Sequence, residues 1–370
     1  MNKFVLIGFL FLIPTLISGQ ELVPDTVEVL KARVVNVLSQ EVQQIPGTDT
    51  EAIYQDIEAL LLSGSNQGST VRIENDFLEL DEGDVFYVTH TTNTVDGIDY
   101  YAVGEPYRMP VLLALLGLFL FCVVVFGGKQ GIRGVISLSL SLACVIWVLF
   151  PLLMAGYPPV AVSLGVVSVL VIIGSYITHG ISRMTTAAVA GMVMAIGFTG
   201  LLAYLAVAMG NISGFTGEEV TYLHINARGT LDLSGLLIGG ILIGLLGVLY
   251  DAAIGQSVAV EELLRAKKKE DRREVFIRAL RMGREHIGAL VNTLAIAYVA
   301  ASLPLLLYFY GSTPVGVIPL INSEMFAAEI IRILVSSIGV ILVVPLTTLI
   351  ATYLLEEPRE GVSITDTHVH

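Results

Sequence analysis

The sequence predicts an all-α polytopic membrane bundle of about seven transmembrane helices, preceded by a small extracytoplasmic β-barrel module of OB-like size. Three observations lead there. Of the 370 residues, 54% are hydrophobic and only 14% charged, a composition shifted from soluble proteins toward the membrane class. Apolar runs recur from residue 110 onward, each near the ~20 residues a helix needs to cross a bilayer core. The excess acid lies ahead of those runs: Gln20 to Met109 holds seventeen Asp and Glu against four Lys and Arg, and the rest of the chain holds sixteen of each.

In order, residues 1–19 have Lys3, an apolar core from Phe4 to Ile17 and the small residues Ser18 and Gly19. That is the form of a secretory signal peptide, with an uncleaved anchor as the alternative. Residues 20–107 form the acidic β module. Val27, Val29, Val35 and Val37, then Thr70–Glu74, Asp84–Thr89 and Tyr100–Val103 are short β-rich runs between Gly, Asn and Asp clusters. About five strands are expected, with Thr50 to Leu62 as an intervening helix or a further strand. Barrels of this size bind oligonucleotides or glycans. Here the negative charge argues against a nucleic-acid partner, and the aromatics that would stack bases are sparse. Asp81, Glu82 and Asp84 match no calcium-loop spacing and are expected to be solvated acidic surface.

Residues 108–355 carry seven apolar segments, near 110–126, 134–154, 158–177, 185–208, 233–258, 287–309 and 327–354. Cys122 and Cys144 fall inside such runs and read as small hydrophobes. The loops alternate in positive charge: Lys129 and Arg133, then none, then Arg183, then only Arg228, then a dense run from Arg265 to Arg284, then none. Odd-numbered loops are therefore expected in the cytoplasm, with the β module outside and residues 356–370 as a cytoplasmic tail. In the fourth loop, Thr216 to Glu219 has the spacing of a capping box opening a short helix, and Asp232 is placed to cap the fifth span. Lys267, Lys268, Lys269, Arg272 and Arg273 open an amphipathic helix whose basic face suits anionic inner-leaflet lipids.

The fifth and sixth spans are the most informative. Gly235 and Gly239, Gly240 and Gly244 stand four apart and Gly247 follows, so faces without side chains are available for close helix packing. Asp251 lies near the inner end of the fifth span and Asn292 early in the sixth. Both are about 10 Å deep at 1.5 Å per residue, with Tyr250 and Thr293 adjacent. An intramembrane carboxylate is expensive, so this polar set is the candidate site for a solute or ion; a structural hydrogen bond between two spans is the alternative. His286 is expected as an interfacial anchor, and Glu329 and Arg332 as a pair on one helix face. No nucleophile elbow, P-loop or zinc motif occurs, so neither an enzyme, nor a cofactor, nor a metal is expected.

The combination of Gly127–Gly134 after the first span, Pro151–Gly156 closing the second, Gly244–Asp251, and Gly283–Leu294 with its Asn292-Thr293 resembles the YibE/F-like family of bacterial multi-pass membrane proteins. The resemblance runs from Arg108 to about Leu355. It implies the architecture of the cytoplasmic membrane and assigns no activity, substrate or catalytic residue. The functional expectation is a transporter or channel for a small solute or ion, with Asp251, Asn292, Thr293 and Tyr250 at a polar site between spans five and six. Two other readings stand beside it. One is a non-transporting scaffold or sensor whose outer module binds an envelope component. The other is the membrane half of an ATP-driven transporter. Assembly as a homo-oligomer or with a membrane partner is compatible with each.

Overall fold

A computed structural model of the chain describes residues 26–44, 47, 51–76, 78–93, 98–227, 229–266, 271–312 and 316–355. The expected signal peptide, Lys267, Lys268, Lys269 and the expected tail lie outside the described residues. The chain divides into two compact units, meeting in sequence at Phe121 and Cys122.

The N-terminal unit contains a five-stranded antiparallel sheet. Its strands are β1 (Thr26–Gln44), β2 (Glu51–Leu61), β3 (Thr70–Asn75), β4 (Val85–Thr92) and β5 (Asp99–Pro106), in the order β3-β2-β1-β4-β5. The segment left open between helix and strand is thus strand β2. At nineteen residues, β1 is long enough to pair with two neighbours in succession, β4 along Thr26–Arg33 and β2 along Ala32–Gln44. Irregularities between Val34 and Asn36 and between Val37 and Ser39 interrupt the register, and extra residues of this kind bend a strand. The bent sheet brings β3 and β5 into contact, without hydrogen-bonded pairing among the described residues, so it forms a half-barrel. Alternation explains its core: Leu30, Ala32 and Val34, then Ile57, Ala59 and Leu61, then Phe86 and Val88 all point inward and join Ile73 and Leu80.

An ion pair and a hydrogen-bonded carboxylate tie neighbouring strands. Arg72 on β3 donates to Asp56 on β2, and this guanidinium holds the Asp56 carboxyl below the usual carboxylate range. Across β4 and β5, Thr92 Oγ1 lies 2.7 Å and His90 Nε2 2.9 Å from Asp99 Oδ1, and hydrogen bonds from both hold Asp99 below that range too.

The helical unit follows. The helices are α1 (Met109–Cys144), α2 (Phe150–Met154), α3 (Pro159–His179), α4 (Arg183–Met209), α5 (Glu218–Asn226), α6 (Leu233–Gly244), α7 (Leu246–Ala266), α8 (Arg272–Ala301), α9 (Leu303–Ser312), α10 (Val317–Ile321) and α11 (Glu324–Leu354), with a π-helical turn at Val145–Leu149 joining α1 to α2. Where seven spans were expected, five helices among the described residues are long and apolar enough to cross a membrane, and a sixth span counts if α8 and α9 are one crossing bent by 60°. The chain is therefore a multi-pass membrane protein by helix length and hydropathy. The shortfall has two physical causes. The first two expected spans form one run, Met109–Met154, broken at Gly128, whose φ of 51° and ψ of −140° are not helical. The sixth is divided at Ser302, and each part fails alone: α8 opens with a charged half and α9 is only ten residues long.

The core brings together α3, α4, α6, α7 and α11, with Met192, Ile196, Ile241, Leu242, Leu249 and Val343 among its buried side chains. The antiparallel pair α4 and α11 meets through a reciprocal contact. A Cβ on Gly191 would lie 2.9 Å from the Cα of Thr347, and one on Gly339 would meet Thr199. The two contacts are eight residues apart on each helix, about 12 Å along the axis. Missing side chains let the backbones approach closely.

Smaller expectations resolve locally. Asp232 Oδ1 accepts from the Gly235 amide at 2.9 Å and caps α6. The short helix α5 forms, but Gly217 occupies its cap position without a side-chain hydrogen bond, so the capping box is not made. The basic segment expected to lie apart from span six is continuous with it in α8, and Val275 and Ala279 pack against Ala187, Val260, Ala351 and Leu355. Glu329 and Arg332 pair at 3.3 Å, and Glu329 also accepts from Ser302 Oγ at 3.1 Å beside the bend.

Candidate functional site

The candidate site lies between α7 and α8. Along α7, Leu249, Ala252, Ala253, Gln256, Ser257 and Val260 face the protein, which turns Asp251 and Gly255 onto the adjoining exposed face. Opposite stands α8, whose Gly283 is buried because no side chain fits there: a Cβ would come within 2.6 Å of Gln256 Oε1. Between the helices is a cavity of about 230 Å³. Asp251, Gly255, Gln256, Met282, Gly283 and His286 line it, with Val344 of α11 behind.

Gln256 fixes the geometry. It is 5% exposed, and its Nε2 donates to the Ala279 carbonyl at 2.8 Å and to Thr348 Oγ1 at 2.7 Å, tying α7 to α8 and α11 at one point. One residue on, Ser257 Oγ donates to the Met184 carbonyl at 2.8 Å and adds α4. Toward α3, Tyr250 donates to the Gly174 carbonyl at 3.3 Å, and its ring lies 5.7 Å from that of His179, which is within electrostatic reach of Asp251. Asp251 thus shares the cavity lining with His286 of α8 and lies within electrostatic reach of His179 of α3. Among the described residues, no group of three or more His, Cys, Asp or Glu is arranged to hold a metal ion.

The expected site residues are partly gathered here. Asp251 lines the cavity and Tyr250 flanks it. Asn292 and Thr293 are exposed on α8, with Asn292 about 9 Å beyond His286 along the helix, and neither is in the lining. Thr293 Oγ1 donates to the Ala289 carbonyl of its own helix at 2.9 Å. Of the packing glycines, Gly235 lies against Asp232 and Pro159, Gly239 against Ser163, and Gly244 against Tyr298, whereas Gly240 and Gly247 face open space. Arg272 Nη1 donates to the carbonyls of Thr352 at 2.6 Å and Tyr353 at 3.0 Å, closing the last turn of α11, while the Arg273 side chain is exposed.

Sequence reasoning placed His286 as an interfacial anchor rather than in the site, counted Gln256 only as a polar neighbour of Asp251, and passed over His179. The usable signal was small: an amide inside an apolar helix, five residues after the carboxylate, must have partners when buried.

A family model for YibE/F-like proteins matches residues 115–357. No curated protein and no solved structure gives a significant match. The matched range contains every described helix from the second turn of α1 through α11 and covers more than half of the chain, so the protein belongs to the YibE/F-like family.

Proposed function

We propose that the helical unit moves a small solute or ion across the membrane, without enzymatic chemistry, and that the cavity between α7 and α8 is its polar site. One observation carries this reading: a carboxylate on a membrane-crossing helix opens onto a cavity between two helices and, among the described residues, forms no ion pair or side-chain hydrogen bond. Ionisable groups in that setting mark pathways and relays far more often than structural ties. Tyr250 shapes the α3 side of the site, while Asn292 and Thr293 stand farther along α8, outside the cavity lining. Reconstituted into proteoliposomes, the protein should carry labelled ions or small solutes, and Asp251→Asn should lower the flux at least tenfold. Unchanged flux in that variant removes the site.

The topology follows the loop charges, with the β module outside and the C-terminus inside a bacterial cytoplasmic membrane, and with residues 1–19 as an export signal. That arrangement needs an odd number of crossings. With α8 and α9 counted as one crossing, Gly128 supplies it if the chain reverses there, and a Cβ on Gly131 would lie 2.6 Å from the Val123 carbonyl oxygen, a close approach for residues eight apart. The module is read as an OB-like barrel left open between β3 and β5. Lys267, Lys268, Lys269 and Arg273 are read as inner-leaflet contacts; Arg272 joins them only in part, since its guanidinium is engaged by α11.

The scaffold or sensor reading has one observation in its favour, an open groove of about 460 Å³ lined by Glu41, Tyr54, Asp56, Glu74 and Asp76 on the sheet. Deleting the module while leaving Asp251 intact separates the two readings: a transporter keeps its flux.

A further inference from the structure

The orientation of the Gln256 amide can be settled from its neighbours. Thr348 Oγ1 donates its single proton to the Val344 carbonyl at 2.6 Å, so toward Gln256 it can only accept. The Ala279 carbonyl can only accept as well. Both contacts therefore demand N–H donors, which assigns Nε2 to that side and excludes the flipped amide. Oε1 is left facing the other way, beside the bare Cα of Gly283 in the cavity wall, and among the described residues no donor reaches it.

The cavity thus presents two oxygen acceptors, one anionic on Asp251 and one neutral and rigidly aimed on a side chain 95% removed from solvent contact. Oxygen acceptors of this kind suit hard cations. A single carboxylate balances a single positive charge, whereas a divalent ion would leave excess charge in a low-dielectric setting. The volume of about 230 Å³ is roughly eight times the share of one water in the liquid, enough for an ion with part of its hydration shell. The other titratable groups toward the site are His286 on the cavity wall and, on the α3 side, His179 and Tyr250.

We propose that this cavity binds a partly hydrated monovalent alkali cation, held between the Asp251 carboxylate and the Gln256 carbonyl oxygen; the proposal rests on reading the α7–α8 cavity as the transport site and names its substrate class. Gly283 belongs to the same device, because any side chain there would cover Oε1.

Binding can be read without flux. The full chain in lipid nanodiscs at pH 8, where free imidazole is neutral, is melted in NaCl, KCl or choline chloride at constant ionic strength. At least one alkali cation should raise the melting temperature saturably over choline, as a ligand of the folded state must. Asp251→Asn, which leaves the Gln256 ties intact, should weaken the apparent affinity at least tenfold, and Gly283→Ala should reduce it as well. Equal melting in all three salts overturns the proposal, and so does a cation effect that survives Asp251→Asn. Saturable stabilisation without flux in proteoliposomes supports the site and removes the transport reading. Flux of another solute without stabilisation does the reverse.

Discussion

The sheet and the helical unit exclude solvent by opposite means. In the half-barrel, inward alternation delivers large side chains to one face, and Phe86, Leu30 and Ile57 are each 2% exposed or less. Among the helices the closest approaches occur where side chains are missing, with Gly191 against Thr347, Gly339 against Thr199 and Gly239 against Ser163. Water explains the first solution, since burying an apolar side chain is what stabilises the sheet. Lipid explains the second: acyl chains are as apolar as leucine, so helices gain by backbone proximity and dispersion rather than by hiding hydrocarbon.

That contrast can be broken at several points. Phe86→Ala should cost the sheet about 4 kcal/mol, read as faster proteolysis within residues 26–106 of the full chain; wild-type resistance would mean that the large side chains are not what holds it. Gly191→Val should cost the helical unit about 3 kcal/mol by overpacking, seen as a lower melting temperature in detergent, because even its Cβ lies 2.9 Å from the Thr347 backbone. Gly165→Ala is the matched control. A Cβ there meets nothing within 4 Å, so the gain is helix propensity alone, about 0.5–1 kcal/mol, and a loss would show that glycine serves another purpose in α3.

The smallest effect is electrostatic and confined to the sheet. Arg72 lowers the Asp56 carboxyl and Thr92 with His90 lowers Asp99. Groups depressed in the folded state stabilise it above their unfolded pKa, near 4, and that contribution is lost as pH falls through the folded value. The denaturant midpoint of the sheet should therefore decline below about pH 4, less steeply in Asp56→Asn, and an identical acid response in that variant would discount the Arg72 pair.

How far the sequence disclosed this molecule follows from the same contrast. Alternation in β1 and β4 was visible as period-two runs, and strand pairing brought in β2, whose Gln55 and Asp56 obscure the pattern. The apolar stretches announced membrane helices, yet hydropathy is nearly constant around such a helix. It could not show that Gly128 bends one run or that Ser302 divides another. Asp251 stood out because it is charged. Gln256 stood out only as a neighbour of Asp251, since its importance lies in partners on two other helices, Ala279 on α8 and Thr348 on α11. The repeated spacing Gly191 to Thr199 and Gly339 to Thr347 was present in the sequence, and only the antiparallel register of α4 and α11 gave it meaning.

Arg272 reaches carbonyls eighty and eighty-one residues downstream, at Thr352 and Tyr353. During synthesis that guanidinium lacks both carbonyls until the chain has been made through Tyr353. The latch between α8 and α11 consequently cannot form before α11 is made, and a nascent chain halted before Thr352 keeps an unfastened bundle.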